Sequence, residues 1–195
     1  MQHIILASQS PRRKMLLEWA EVPFEVIIKP TDESYPPDLS VEEVPVHIAY
    51  EKAKTVSDYV QHAYHGTYAD KTILAADTVV VLDTEIIGKP NDREHAIEIL
   101  KKLSGQTHQV ITGVVILSGE GNISFADITE VKFHTLTEEQ IVFYVDKYQP
   151  YDKAGAYAIQ EWIGVVGIQS FKGDFYNVMG LPVSRVVQAL QALSS

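Results

Sequence analysis

Thr72-Ile73-Leu74-Ala75-Ala76-Asp77-Thr78-Val79-Val80-Val81-Leu82 is an apolar and β-branched run broken by a single acid. Runs of this kind form strands buried on both faces, as at the centre of an α/β sheet. A lone carboxylate in such a strand costs several kcal/mol unless it is paired, protonated or bound to a metal. The alternative is a strand that ends at Ala76, with Asp77 in a solvated bulge. Because an acid buried without a partner is rare, Asp77 is taken as a candidate for chemistry.

Upstream, Ile4-Ile5-Leu6 reads as a buried strand that leads into a helix with Ser10 as N-cap and Pro11 at the first helical position. Its inner face is expected to carry Met15, Leu16, Trp19 and Ala20. The first turn holds Arg12, Arg13 and Lys14, where the helix dipole favours acids, a penalty of about a few tenths of a kcal/mol each. An anion at this turn, facing unbonded N–H groups, would remove the penalty; the plain reading is three solvated cations. A second strand, Phe24–Ile28, runs into a polar loop from Lys29 to Leu39 that contains Glu33. That loop lies at the exit of a strand beside the first, where α/β sheets place ligands. A helix follows, starting at the Ser40/Glu43 capping box or at Pro45 and ending at Tyr59, with Ala49, Ala53, Val56 and Val60 as its apolar stripe. Gln61 to Lys71, polar and containing Gly66, reads as a loop.

Downstream, Asp83-Thr84 reads as a hairpin turn into Glu85-Ile86-Ile87, then Gly88-Lys89-Pro90 and a helix from Asp92 to Leu103 closed by Ser104-Gly105. His108–Leu117 and Ile123–His134 form an antiparallel hairpin around Gly119–Asn122. Thr137–Gln140 caps a helix that turns Ile141, Tyr144 and Val145 inward. Asp152 to Gln160 is read as a loop feeding a strand, with another strand over Ile163–Ile168. Pro182 opens a final helix whose buried side is Val183, Val186, Val187, Leu190 and Leu193. Helices and long strands in this order predict an α/β fold on a mixed sheet.

With 195 residues, 46% of them hydrophobic, the chain can bury the core of one medium domain or two small lobes. No apolar run approaches the ~18 residues of a membrane span, and no long apolar h-region follows Met1, so neither anchor nor secretory leader is expected. The absence of cysteine excludes disulfides and thiolate metal sites and agrees with a cytoplasmic protein. A net charge of −10 argues against nucleic-acid and membrane partners, which makes the cations at 12–14 a local exception sized for a small anion. His3, His47, His62, His65, His95, His108 and His134 are scattered without metal-ligand spacing. The glycine-rich nucleotide motifs and the G-x-S-x-G elbow are absent. What remains are acids (Glu33, Asp77, Asp152) and cations (Arg12, Arg13, Lys14, Lys52, Lys89, Lys153) at element ends. Hard oxygen ligands with phosphate-binding cations point to Mg²⁺-assisted chemistry on a phosphate ester or anhydride.

Several stretches carry a family likeness: Leu6-Ala-Ser-Gln-Ser-Pro-Arg-Arg13, the Glu33 loop, Ala49-Tyr-Glu-Lys-Ala53, Ala76-Asp-Thr78, Gly88-Lys-Pro90, Ser104-Gly-Gln-Thr-His-Gln-Val110, Asp152-Lys-Ala-Gly-Ala-Tyr157 with Gln160, and Asn177-Val-Met-Gly-Leu-Pro182. On these the chain resembles the Maf family of nucleoside triphosphate pyrophosphatases over nearly its whole length. The resemblance implies one Maf-like domain over residues 1–195, with an elongated mixed sheet flanked by helices and a central cleft between two lobes, as in ITPase-like folds. It implies hydrolysis of a nucleoside triphosphate to monophosphate and pyrophosphate with Mg²⁺ or Mn²⁺, a small nucleotide as the partner and a homodimer. Carried over residue by residue, Asp77 is catalytic and, with Glu33, holds the metal, while Ser8, Arg13, Lys14, Lys52, Lys89 and Lys153 bind phosphate. Arg12, Thr78 and Gln160 match the branch similar to dTTP/UTP pyrophosphatases and differ from the branch acting on 7-methyl-GTP. Two departures bear on substrate preference: Ala158 stands where glycine is usual, and Glu161-Trp162-Ile163 replaces a glycine-rich stretch. The competing readings are the same reaction on another nucleotide and a non-catalytic nucleotide-binding regulator of cell division.

Overall fold

The computed structural model describes residues 3–63 and 71–193. Seven strands form one mixed sheet: β1 (Ile4–Leu6), β2 (Phe24–Val26), β3 (Ile73–Leu82), β4 (Glu85–Ile87), β5 (Thr107–Ser118), β6 (Gly121–Phe133) and β7 (Ile168–Lys172). Their order is β2-β1-β3-β5-β6-β7, with β4 paired to β3. β1 is parallel to both β2 and β3, with Ile5 opposite Glu25 and Ile73. The β3–β4 and β6–β7 pairs are antiparallel. β3 is unbroken from Ile73 to Leu82, so Asp77 lies within a strand and not in a bulge after Ala76.

The chain divides into two compact units, and the boundaries fall inside β3, β5 and β6. The first comprises the residues up to Asp77, Thr112–Asp127 and those from Gly180 onward. It contains α1 (Pro11–Trp19), α2 (Glu43–Ala63) and, at the end of the chain, a helix over Val183–Leu193. The α2 stripe packs as expected: Ala49, Ala53, Val56 and Val60 join Ile5, Ala7, Ile73, Ala75 and Val115 in one core. Small residues bring helix and sheet close, and at Gly113 a Cβ would lie 2.2 Å from the Pro45 carbonyl carbon. The start of α2 reconciles its two candidate signals. Ser40 N–H donates to Glu43 Oε2 (2.9 Å) and Glu43 N–H donates to Ser40 Oγ (3.3 Å), completing the box. Pro45 lies in the first turn, where its missing N–H forfeits no helical bond. The helix extends past Tyr59 to Ala63, so Gln61–Ala63 are helical; the rest of the expected loop, residues 64–70 with His65 and Gly66, lies outside the described residues.

The inner face of α1 differs from expectation. Arg13, Leu16 and Leu17 are buried, whereas Trp19 is 62% exposed. Ser10 is the N-cap by position, but its side chain makes no capping bond. In the last helix Val186 and Leu190 are buried, and Val183, Val187 and Leu193 are only half-buried.

The second unit comprises Thr78–Ile111 and Ile128–Met179. It holds α3 (Arg93–Leu103), α4 (Glu138–Tyr148), α5 (Trp162–Gly167) and α6 (Phe175–Met179), which makes the Val183–Leu193 helix α7. Asp92 caps α3 by accepting from His95 N–H, and Thr137 with Gln140 completes a capping box on α4. Arg93 clamps these two helices together through a two-pronged bond to Asp146 (2.6 and 3.0 Å). His108, Phe133 and Tyr157 meet edge to face, with ring centroids 4.9 to 5.4 Å apart. The strand expected over Ile163–Ile168 is instead helix α5, followed by β7. Its β-branched run misleads: Val165 is exposed, and Gly164 and Val165 donate back to the Glu161 carbonyl. A Cβ at Gly164 would come within 1.7 Å of the Ile159 carbonyl oxygen, so glycine alone permits this turn. α6 has no counterpart among the elements expected from the sequence; its Asn177, wholly buried, donates to the Val110 carbonyl (3.1 Å) and to Thr129 Oγ1 (3.0 Å).

Candidate active site

In the first unit, chemistry gathers at the middle of β3. Lys52 lies one step off the α2 stripe, and its Nζ reaches Asp77 Oδ1 at 2.7 Å and Glu33 Oε1 at 2.8 Å. Asp77 and Lys52 are largely enclosed, whereas Glu33 is half exposed. The pairing that a carboxylate in an apolar strand requires is therefore present. The Glu33 loop is shaped by its neighbours: Asp32 accepts from Ser34 N–H and from Ser34 Oγ–H, both at 2.9 Å. These bonds hold the Asp32 carboxyl below its ordinary pKa.

The Arg13 guanidinium belongs to the same neighbourhood. Its Nε donates to the Gly180 carbonyl (2.7 Å) and Nη1 to Ser8 Oγ (3.1 Å), and Ser8 Oγ also accepts from Ser10 N–H (3.3 Å). Burial pulls the Arg13 pKa down to about 10; the nearby Arg12 charge adds to this, while Asp77 and Glu33 oppose it. Arg12 and Lys14 are half-buried on the same helical turn. The first unit thus holds Ser8, Arg12, Arg13, Lys14, Glu33, Lys52 and Asp77, with direct contacts among Lys52, Glu33 and Asp77 and between Ser8 and Arg13.

Thr78, Lys89, Lys153 and Gln160 belong to the second unit. Gly155 N–H donates to the Gly88 carbonyl (3.1 Å), tying together the loops that carry Lys89 and Lys153. Gly155 adopts φ 70°, and a Cβ there would press on the Val80 side chain at 2.9 Å. Lys89 and Gln160 are exposed; Lys153 is buried, with its Nζ 2.8 Å from Asp152 Oδ1 and 3.6 Å from Glu161 Oε1. Glu161 Oε2 accepts from the Tyr144 hydroxyl (2.5 Å). Sequence reasoning assigned no role to Tyr144 beyond the core; the one signal for this network was the departure at Glu161.

Among the described residues no cluster of three His, Cys, Asp or Glu side chains could hold a metal ion. Glu33 and Asp77 nevertheless converge on a single cationic atom, and each has a second carboxylate oxygen. Mg²⁺ commonly takes one or two carboxylates and completes its shell with substrate phosphates and water, so this donor set fits such a cation. A carboxylate amid ammonium and guanidinium groups can take a proton from water while cations hold phosphate oxygens.

The sequence model of the Maf-like protein family matches residues 3–193. A dTTP/UTP pyrophosphatase of Cytophaga hutchinsonii is 48% identical over 190 residues, covering 97% of this chain and 84% of that protein. One of Bacteroides thetaiotaomicron is 47% identical over 191 residues, covering 97% and 95%. The solved structure of the Staphylococcus aureus Ham1 protein superposes with a TM-score of 0.51 at 17% identity, covering 100% of both chains, a likeness of fold alone.

Proposed function

Because the chain belongs to the Maf family, we propose that it hydrolyses dTTP and UTP to the nucleoside monophosphate and pyrophosphate. This is the activity for which the Cytophaga and Bacteroides relatives are named. The observation that carries the reading is the Lys52 ammonium held between Asp77 and Glu33, with Arg13 in the same field. A water oxygen attacks the α-phosphorus, the bond to the α,β-bridging oxygen breaks, and pyrophosphate leaves. Asp77 takes the water proton, and Lys52 fixes the orientation of its carboxylate. Arg12 and Lys14 hold triphosphate oxygens, joined by Lys89 and Lys153. Arg13, engaged with Gly180 and Ser8, anchors that turn and adds positive potential. Thr78 and Gln160 select the pyrimidine. Glu33 and Asp77 would hold Mg²⁺ or Mn²⁺, which when bound neutralises triphosphate charge.

The same reading takes the protein as a single Maf-like domain, a cytoplasmic homodimer acting on small nucleotides. The net charge of −10 favours such substrates over nucleic acid, and among the described residues no helix is long and apolar enough to cross a membrane. The test is pyrophosphate release from dTTP, UTP, CTP, dATP, GTP and 7-methyl-GTP, each with Mg²⁺, with Mn²⁺ and with chelator. Metal-dependent release peaking on dTTP and UTP is expected. A peak on 7-methyl-GTP reassigns the branch, and binding without release assigns the protein to regulation.

A further inference from the structure

We infer that Glu161 is a positioning residue for base selection, acting through a buried tether from Tyr144; this rests on the reading that Gln160 selects the base. The Tyr144 ring is fully buried and its hydroxyl works in both directions: it accepts from Ala158 N–H at 3.1 Å and donates to Glu161 Oε2 at 2.5 Å. One phenol from α4 therefore staples the backbone before Gln160 to the side chain after it. The staple is reinforced from below. Glu161 N–H donates to the Ala158 carbonyl at 3.1 Å, and Gly164 lets the start of α5 press against the Ile159 carbonyl. Gln160 is the exposed residue of this turn, held on both sides while its own side chain is presented to solvent.

The other carboxylate oxygen of Glu161 lies 3.6 Å from Lys153 Nζ, an ion pair too long for a hydrogen bond. Lys153 also bonds Asp152 at 2.8 Å, but Asp152 is mostly in water and its charge is screened. The Lys153 ammonium lies between two acids, bonded directly to Asp152 and 3.6 Å from Glu161, the less exposed of the two. One carboxylate thus couples a residue read as selecting the base to a cation read as holding phosphate. A charge-assisted O–H···O⁻ bond suits this task because it is directional and strong.

The test compares Y144F, E161A, E161Q and Q160A by steady-state kinetics on dTTP and GTP and by hydrogen exchange of residues 157–162. Y144F and E161A are expected to lower the dTTP-over-GTP ratio of kcat/KM about tenfold, chiefly by raising KM for dTTP, with kcat within about threefold of the wild type. In E161Q the amide oxygen still accepts from Tyr144, so selectivity survives while KM rises for both nucleotides as Lys153 keeps Asp152 and loses the charge of its second acid. Exchange over 157–162 is expected to quicken in Y144F and E161A while β3 stays protected, which a general loss of stability would not produce. Wild-type selectivity in Y144F and E161A, with Q160A impaired, overturns the inference and leaves the functional reading standing. Wild-type selectivity in Q160A as well overturns both the inference and the role of Gln160. If the wild type releases no pyrophosphate from any nucleotide, the functional reading fails and unchanged exchange in Y144F rejects the tether separately. Should Y144F not fold, E161A, at a partly exposed position, carries the comparison.

Discussion

Asp77 and His108 pose the same physical problem in two long strands and receive opposite solutions. Each is a largely enclosed ionisable side chain, and each has one partner at 2.7 Å. For Asp77 that partner is the Lys52 ammonium, with a second acid and a buried guanidinium close by. For His108 it is the Tyr157 hydroxyl, a neutral group, and its Nδ1 finds no hydrogen-bond partner among the described residues. Burial therefore expels the charge from His108, pulling its pKa down to about 4, and pushes the Tyr157 phenol up. A buried group matched to opposite charge can serve reaction at neutral pH; one matched to a phenol becomes part of the core.

Asp77→Asn breaks the first half of this comparison most sharply. The amide oxygen still accepts from Lys52, so the fold should persist while pyrophosphate release falls on the order of 10³-fold. A D77N enzyme that turns over normally with an unchanged melting curve removes Asp77 from the chemistry. Lys52→Met leaves Glu33 and Asp77 facing each other without their shared cation. A loss of about 10²-fold in kcat/KM is expected when dTTP turnover is measured; wild-type turnover would remove Lys52 from the site.

His108 tests the second half through stability. Its folded pKa, about 4, lies below the ordinary 6.5, so as pH falls through 6.5 the unfolded chain takes up a proton that the folded protein refuses until near pH 4. Stability is therefore lost across that window, by at most about 3 kcal/mol from this group. His108→Phe should flatten the fall when urea unfolding is followed from pH 7 to pH 4; an unchanged slope would show that His108 titrates normally. The smallest effect belongs to the exposed Lys54–Asp58 pair on α2 (3.0 Å), where Lys54→Ala should leave the thermal midpoint unmoved because solvent screens the pair.

Where local rules and packing agree, the sequence was readable. The α2 stripe, the caps at Asp92 and Thr137 and the β5–β6 hairpin depend on neighbours a few residues away. Asp77 stood out because a carboxylate within an apolar strand needs an explanation. Reading failed where side-chain type and location part company. Arg13, Leu16 and Leu17 have the spacing of a buried face, yet an arginine does not announce burial and a tryptophan does; only the bonds to Gly180 and Ser8 make the arginine the inner residue. The Ile163–Ile168 run has strand propensity, but its backbone bonds return to Glu161 and the close approach at Gly164 holds a helical turn.

The sequence by itself determined the fold class, the caps of α3 and α4, the family and the residues whose charges demand partners, because each follows from periodicity, local hydrogen bonding or an ordered set of motifs. Tertiary structure alone decided which partners those are. Lys52 reaches Asp77 across 25 positions of chain and Arg13 reaches Gly180 across 167, while Tyr144 crosses 17 to Glu161. Such pairings depend on how helices lie on the sheet, a geometry set by the packing of the whole core and not by any local stretch.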